Sequence, residues 1–356
     1  MKMKINTFKG TFFEIGQQYG KKFREQIGEN MSVLVKRNCV PPDPLPLGDT
    51  DFHEWVSCQE KIISSQWPWL LEEMNGVAKG SGYDYRDILF LNLRVWQYNF
   101  YGKPTAPATA CSSLIITLAD GSTANIGALD DGIEYYCGMV KLVPEKGYSF
   151  MTSPIAGTSW GNRGMNSAGL CVGASSQILN GLKRLPGAIC QDIANRVILQ
   201  TCATVNEVRE FCKQHPFTLN LACSDKNGDV FCAHQTTAGL FEITDHAPSA
   251  ITNHIVDDRL MYELSRLGVC EFRESGTTRL RRGRLLEFAR KNNGRINAED
   301  LKKFIADRMK GSPSSTCPKH NVVLTYANPQ AEPGIMWVAE PSVSDNENWE
   351  ACDLII

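Results

Sequence analysis

One change of period, near residue 110, constrains this chain more than anything else in it. Up to about residue 100 the apolar residues recur at helical spacing. FEIGQQYGKKFREQIGENMSVLVKR is amphipathic, and WPWLLEEMNGVAKGSG places Trp67, Leu70, Leu71, Met74 and Val77 along one face. YRDILFLNLRVWQYNF is a third helical candidate, opened by Asp84 or Asp87. GKPTAPATA then brings prolines and small residues with no large apolar side chain, which marks a loop. From Cys111 the period shortens: CSSLIITLADGSTANIGALDD reads as strand, Asp-Gly turn, strand.

Further strand candidates follow at YCGMVKLVP, YSFMTSP, GLCVGASS, LACSDKNGDVFCAHQ and LFEITDHAPSAITNH, with closing strands at NVVLTYANP, GIMWVAEP and ACDLII. Helices are expected among them at GAICQDIANRVILQ, TVNEVREFCKQH, TTRLRRGRLLEFARKN and NAEDLKKFIADRMKG. Strands in groups with helices in groups between them predict an α+β fold with antiparallel sheets rather than a βαβ alternation. The division falls at the loop, with a helical N-terminal segment over 1–110 and the β-rich part over 111–356.

Charge and cysteine content narrow the function. Net charge is −2 with the basic residues spread along the chain, so no cationic face is expected for nucleic acid. MKMKINTFKG leads into no apolar run, and no segment reaches the roughly 18 apolar residues of a membrane span, so a cytoplasmic protein is expected. The 13 cysteines show neither a CxxC pair nor zinc spacing, which predicts small buried thiols in a reducing compartment and no metal.

Cys111 stands apart by position: a flexible loop and Ala110 precede it, Ser112 and Ser113 follow, and the hairpin after it ends at an acidic pair. Were the bond before it cut, one residue would carry both a thiol and an α-amine. That amine titrates near roughly 7.7 to 8.0, low enough to act as a base at neutral pH. The ordinary fate of such a cysteine is still to be one more buried apolar residue.

The order FKGTFFEIGQQYG, WPWLLEEMNGVAKGSG, ILFLNLR, CSSLIITLADG, GNRGMNSAGLCV and ITNHI resembles the acyl-coenzyme A:isopenicillin N (6-aminopenicillanic acid) acyltransferase family. These are self-processing N-terminal-nucleophile (Ntn) proteins related to penicillin V acylase and choloylglycine hydrolase. The resemblance implies an αββα four-layer sandwich and a Cys111 exposed by autoproteolysis after Ala110 to carry the acyl group. It also implies an aspartate at the hairpin end, Asp131 with Asp130 as the near alternative, and an oxyanion-stabilising asparagine, Asn253. The implied substrate is a small linear amide or thioester, with no resident cofactor beyond an acyl-coenzyme A co-substrate, and the two fragments staying associated. The chain departs from the family at Ala110, where glycine is usual, and at Leu129, which replaces the asparagine of G-x-N-x-D. A β-carbon at 110 restricts the backbone there, so processing is expected to be slower or absent.

Read without the resemblance, Asp131 is a turn residue and Asn253 a loop residue bonding its own backbone. His254 and His246 admit a Cys-His dyad in an uncut chain, and the change at Leu129 admits a non-catalytic binding protein with a degenerate site. GNRGMNSAG lacks phosphate-loop spacing and reads as a turn between strands, with Asn166 a turn residue. In the arginine run at 279, 281, 282 and 284 a solvated face is the ordinary reading, and Arg279 is the candidate to meet an anionic substrate group.

Overall fold

A computed structural model of the protein describes residues 5–32, 52–93, 111–130, 139–159, 161, 163–177, 179–180, 187–271, 276–306, 322–331, 334–339 and 350–353.

The chain opens with a strand that the helical reading of the first hundred residues did not anticipate, β1 (Asn6–Gly10). Helix α1 (Phe12–Lys22) follows, started by a capping box in which Thr11 and Glu14 satisfy each other's backbone N–H groups. The long amphipathic stretch breaks at Phe23, whose ring is buried against Phe8 and Tyr19, and resumes as α2 (Arg24–Asn30). Then come α3 (Phe52–Gln66), α4 (Pro68–Ser81) and α5 (Tyr85–Asn92). Helix α4 has proline in its first turn and ends on Gly82 at φ 78°, the left-handed position that glycine takes without strain. Of the two candidate aspartates it is Asp84 that caps α5.

After the loop the strands are β2 (Ser112–Thr117), β3 (Thr123–Asp130), β4 (Val140–Pro144), β5 (Phe150–Thr152), β6 (Arg163–Asn166), β7 (Cys171–Ser175) and β8 (Leu179–Asn180). Helices α6 (Gln191–Thr201) and α7 (Val205–Gln214) lead into β9 (Leu219–Ser224), β10 (Val230–Thr236), β11 (Gly239–Thr244) and β12 (Ser249–Ile251). The chain continues through α8 (Asp258–Arg266), β13 (Cys270–Glu271), α9 (Gly276–Asn292) and α10 (Ala298–Ala306). Its last strands are β14 (Val322–Asn328), β15 (Ile335–Ala339) and β16 (Glu350–Asp353).

One sheet runs β1-β4-β5-β6-β7-β9-β10-β11 and the other β12-β2-β3-β14-β15-β16; β13 and β8 form a separate pair. Among the described residues every pairing is antiparallel except β1 with β4, so the chain's first strand seals the edge of a sheet built by its later part.

Side-chain alternation along the strands defines the layers. In β2, Leu114 and Ile116 pack with Leu285 and Ala289 of α9 and Leu301 and Ile305 of α10. Ile115, between them, packs with Ala222, Val230 and Cys232 of the facing sheet. On that sheet, Phe150, Val172, Leu221 and Phe231 join a core with α1, α4, α6 and α7. The result is four layers: helices, eight-stranded sheet, six-stranded sheet, helices. Asn125 of β3 ties the sheets together by donating to the Ala222 carbonyl at 2.9 Å. Among the described residues no helix is long and apolar enough to cross a membrane.

Candidate active site

Cys111 immediately precedes β2, and it is 1% exposed. Strand alternation puts it on the same face as Ser113 and Ile115, between the two sheets. There it clusters with Met139, Met151, Met165, Cys171, Ala327 and Met336. The packing is apolar, but two buried guanidinium groups reach the strand at this point.

The first belongs to Arg281. Its Nη1 donates to the Cys111 carbonyl and to Ser112 Oγ, both at 2.6 Å, and its Nη2 donates to Asn253 Oδ1 at 2.9 Å. One side chain therefore couples the cysteine backbone to the asparagine amide. Asn253 is fully buried and held on two other sides: its N–H donates to Thr278 Oγ1 and its Nδ2 to the Ser176 carbonyl, each at 2.9 Å. With Oδ1 taken by Arg281, the amide orientation is fixed and Nδ2 is the donor end.

Helical phase explains why Arg281 and not its neighbours enters the site. Thr278, Arg281, Leu285 and Ala289 lie at three- and four-residue steps on the buried face of α9. Arg279, the arginine singled out from sequence, is exposed, and it is Arg281 that bonds to Cys111 and Asn253. Arg282 donates to the Ala250 carbonyl, and Arg284 lies over the Phe304 ring.

The second guanidinium comes from the facing sheet. Arg163, on β6, is 3% exposed and donates through Nη2 to the Ser112 carbonyl at 2.6 Å and to Ser113 Oγ at 2.7 Å. Desolvation lowers its pKa, and the Cys111 and Cys171 thiols oppose that. Burial pushes the Cys171 thiol up to about 12, against the pull of Arg163. Arg163 lies in the segment read as a simple turn. The turn is real but begins at Asn166, whose Oδ1 accepts from Ala168 and Leu170 while its Nδ2 holds the Leu199 and Cys202 carbonyls.

Asp131 lies outside the described residues, as does Ala110; β3 is described to Asp130. His254 Nδ1 is engaged by Thr252 Oγ1 and Thr278 Oγ1, each at 3.0 Å. Burial, then the positive charges of Arg279 and Arg282, take its pKa down to about 3, which makes it a poor base at neutral pH. His246 is on the surface, bonded to Thr244 and Asp245.

Cys111, Asn253 and Arg281 thus form one hydrogen-bonded unit at the end of the six-stranded sheet that meets the facing one. The chain belongs to the acyl-coenzyme A:6-aminopenicillanic acid acyl-transferase family, whose model matches residues 132–321. That span contains Arg163, Asn253 and Arg281 and begins downstream of Cys111. Among solved structures, the chain is similar to a mutant of conjugated bile acid hydrolase from Clostridium perfringens, at 14% identity and a TM-score of 0.46, over 68% of this chain and 92% of that one. It is also similar to penicillin V acylase from Agrobacterium tumefaciens, at 13% identity and 0.44, over 68% and 86%. A third is the Caenorhabditis elegans ortholog of N-acylethanolamine-hydrolyzing acid amidase, at 11% and 0.42, over 68% and 100%.

Proposed function

We propose that this protein is a self-processing N-terminal-nucleophile cysteine amidohydrolase or acyltransferase that breaks its own chain between Ala110 and Cys111. Cys111 Sγ attacks the Ala110 carbonyl carbon, the acyl group passes from nitrogen to sulfur, and water hydrolyses the thioester. A new α-amine is left on Cys111. Burial of the thiol in the intact chain is compatible with the attack itself, because the target carbonyl belongs to the residue's own neighbour; only the hydrolysis that follows needs a water molecule.

In turnover the α-amine, neutral in a useful fraction because it titrates near roughly 7.7 to 8.0, takes the thiol proton. The thiolate attacks the carbonyl carbon of a linear amide or thioester. The leaving nitrogen or sulfur departs with that proton, and water or an amine resolves the acyl-cysteine. Asn253 Nδ2 is the donor for the developing oxyanion, a role worth roughly 2.7 to 4 kcal/mol in rate. Asp131 stabilises the α-ammonium.

The observation that carries this reading is the Arg281 bridge, which fixes the Cys111 backbone and the Asn253 amide in one hydrogen-bonded unit. Intact mass spectrometry with N-terminal sequencing is the test. The expected result is a fragment beginning at Cys111 in the wild type and a single uncut chain in Cys111→Ala. A Cys111→Ala protein that is still cut would end the proposal.

A further inference from the structure

Ser112 and Ser113 are each held by buried guanidinium groups, which approach β2 from either side. From the helical side Arg281 takes the Cys111 carbonyl and the Ser112 hydroxyl; from the facing sheet Arg163 takes the Ser112 carbonyl and the Ser113 hydroxyl. Consecutive carbonyls and hydroxyls thus go to opposite guanidinium groups, and the strand can neither slide nor roll.

The space for Arg163 is made by missing side chains. A Cβ built on Gly127 of β3 would overlap its guanidinium, and one on Gly173 of β7 would come within 3.1 Å of Nη1. Gly127 is the cross-strand partner of Ser113, and Gly173 that of Arg163. Both glycines lie where alanine or valine would suit a strand better. A buried guanidinium is costly to desolvate, and Arg163 Nε finds no hydrogen-bond partner among the described residues. The titratable groups that face Arg163 are the thiols of Cys111, just before β2, and Cys171, on β7; Arg281 approaches from α9.

A charge kept under these conditions, with two strands cleared of side chains for it, calls for a use beyond fastening serines, which a neutral donor would do at lower cost. We infer that Arg163 is a positioning residue for Cys111: carried in from the facing sheet, it fixes the start of β2 and supplies the positive charge that favours the Cys111 thiolate once the thiol proton leaves. The inference deepens the proposed function and rests on Cys111 being the nucleophile, but its test does not need turnover.

The experiment is iodoacetamide labelling of full-length protein, with Cys111 quantified by peptide mass spectrometry from about pH 6 to about pH 10, around the usual thiol value near 8.5. Arg163→Gln is expected to move the half-labelling pH of Cys111 upward by about one unit or more, as loss of an adjacent opposite charge does. Arg163→Lys, which keeps the charge, is expected to recover most of the shift. Gly127→Ala leaves the arginine but takes its place, and is expected to shift labelling in the same direction; it serves if Arg163→Gln does not fold. An unshifted Cys111 profile in a folded Arg163→Gln or Gly127→Ala protein overturns the inference.

The two readings fail separately. Unshifted labelling together with a wild type cut before Cys111 and an uncut Cys111→Ala chain removes Arg163 and leaves the nucleophile. Shifted labelling together with a Cys111→Ala chain that is still cut keeps Arg163 beside the thiol and removes the enzyme reading.

Discussion

At the scale of single residues the site is a set of polar groups kept dry, and the imidazoles beside it show what dryness costs. His254 is held neutral with its pKa at about 3, and His234 at about 4, in each case chiefly by burial. His234 accepts from the Val256 N–H at Nε2, so its proton is on Nδ1 and donates to Asn220 Oδ1. In the unfolded chain both rings take a proton below about pH 6.5. Their neutral folded forms therefore cost nothing above that value, and stability is lost as pH falls from about 6.5 toward the folded values. The loss has an upper limit of about 1.4 kcal/mol per pH unit per histidine. Urea midpoints are expected to fall steadily between about pH 6.5 and pH 4.5, and His254→Asn to flatten that slope. A slope identical in the variant would place the acid sensitivity elsewhere. The same scale shows what a sequence withholds. Cys111 stands out by its place at a loop-to-strand junction, and Asn253 only through the resemblance of ITNH to the family's T-N-H. Arg163 and Arg281 carry no pattern of their own. Arg163 is one residue in a segment that reads as a turn, and Arg281 is one arginine of four; only its helical phase with Thr278 and Leu285 marks it as the buried one.

At the scale of elements, close backbone approach decides more than hydropathy does. Helices α1 and α4 cross through four glycines. A Cβ on Gly16 would overlap the Glu73 carbonyl, one on Gly20 the Val77 carbonyl, one on Gly76 the Phe13 carbonyl and one on Gly80 the Gln17 carbonyl. The obstacle in each case is backbone, which cannot rotate away as a side chain would, so any larger residue must push the helices apart. Gly76→Ala is expected to destabilise the protein by about 1–3 kcal/mol, the range for overpacking a tight interior, despite alanine's better helix propensity. Thermal or urea unfolding of the variant measures it, and an unchanged or raised midpoint would show that the helices can separate at no cost. The apolar faces of both helices are visible in the sequence, as are the Asp-Gly hairpin and the strands after it. Strand β1 is not, because five residues reading NTFKG carry too little alternation; its place is set by pairing with β4, over a hundred residues away in the chain. Long-range pairing of that kind leaves no local mark.

At the scale of the whole molecule, the bond proposed to break lies between two parts that share one core. Phe8, Ile15, Tyr19, Met74 and Val77 from the N-terminal part cluster with Val140, Phe150, Val172 and Leu219 from the later part, and β1 completes the eight-stranded sheet. Across the same boundary runs a buried ion pair: Arg196 Nη2 meets Glu73 Oε2 at 2.7 Å with both side chains almost fully enclosed. The guanidinium also lies over the rings of Trp69 and Phe150. A cut after Ala110 would sever none of this, so the fragments are expected to migrate as one particle in native size-exclusion chromatography and to part only in denaturant. Removing one member of the pair tests the coupling. Arg196→Met keeps the stem that packs on the aromatic rings but leaves Glu73 buried without its cation, a change that costs about 3–5 kcal/mol when a buried pair is broken. Glu73→Gln combined with Arg196→Met removes both charges and is expected to recover much of that loss. If Arg196→Met unfolds at the same urea concentration as the wild type, this pair does not hold the two parts together, and the apolar core and β1 must do so alone.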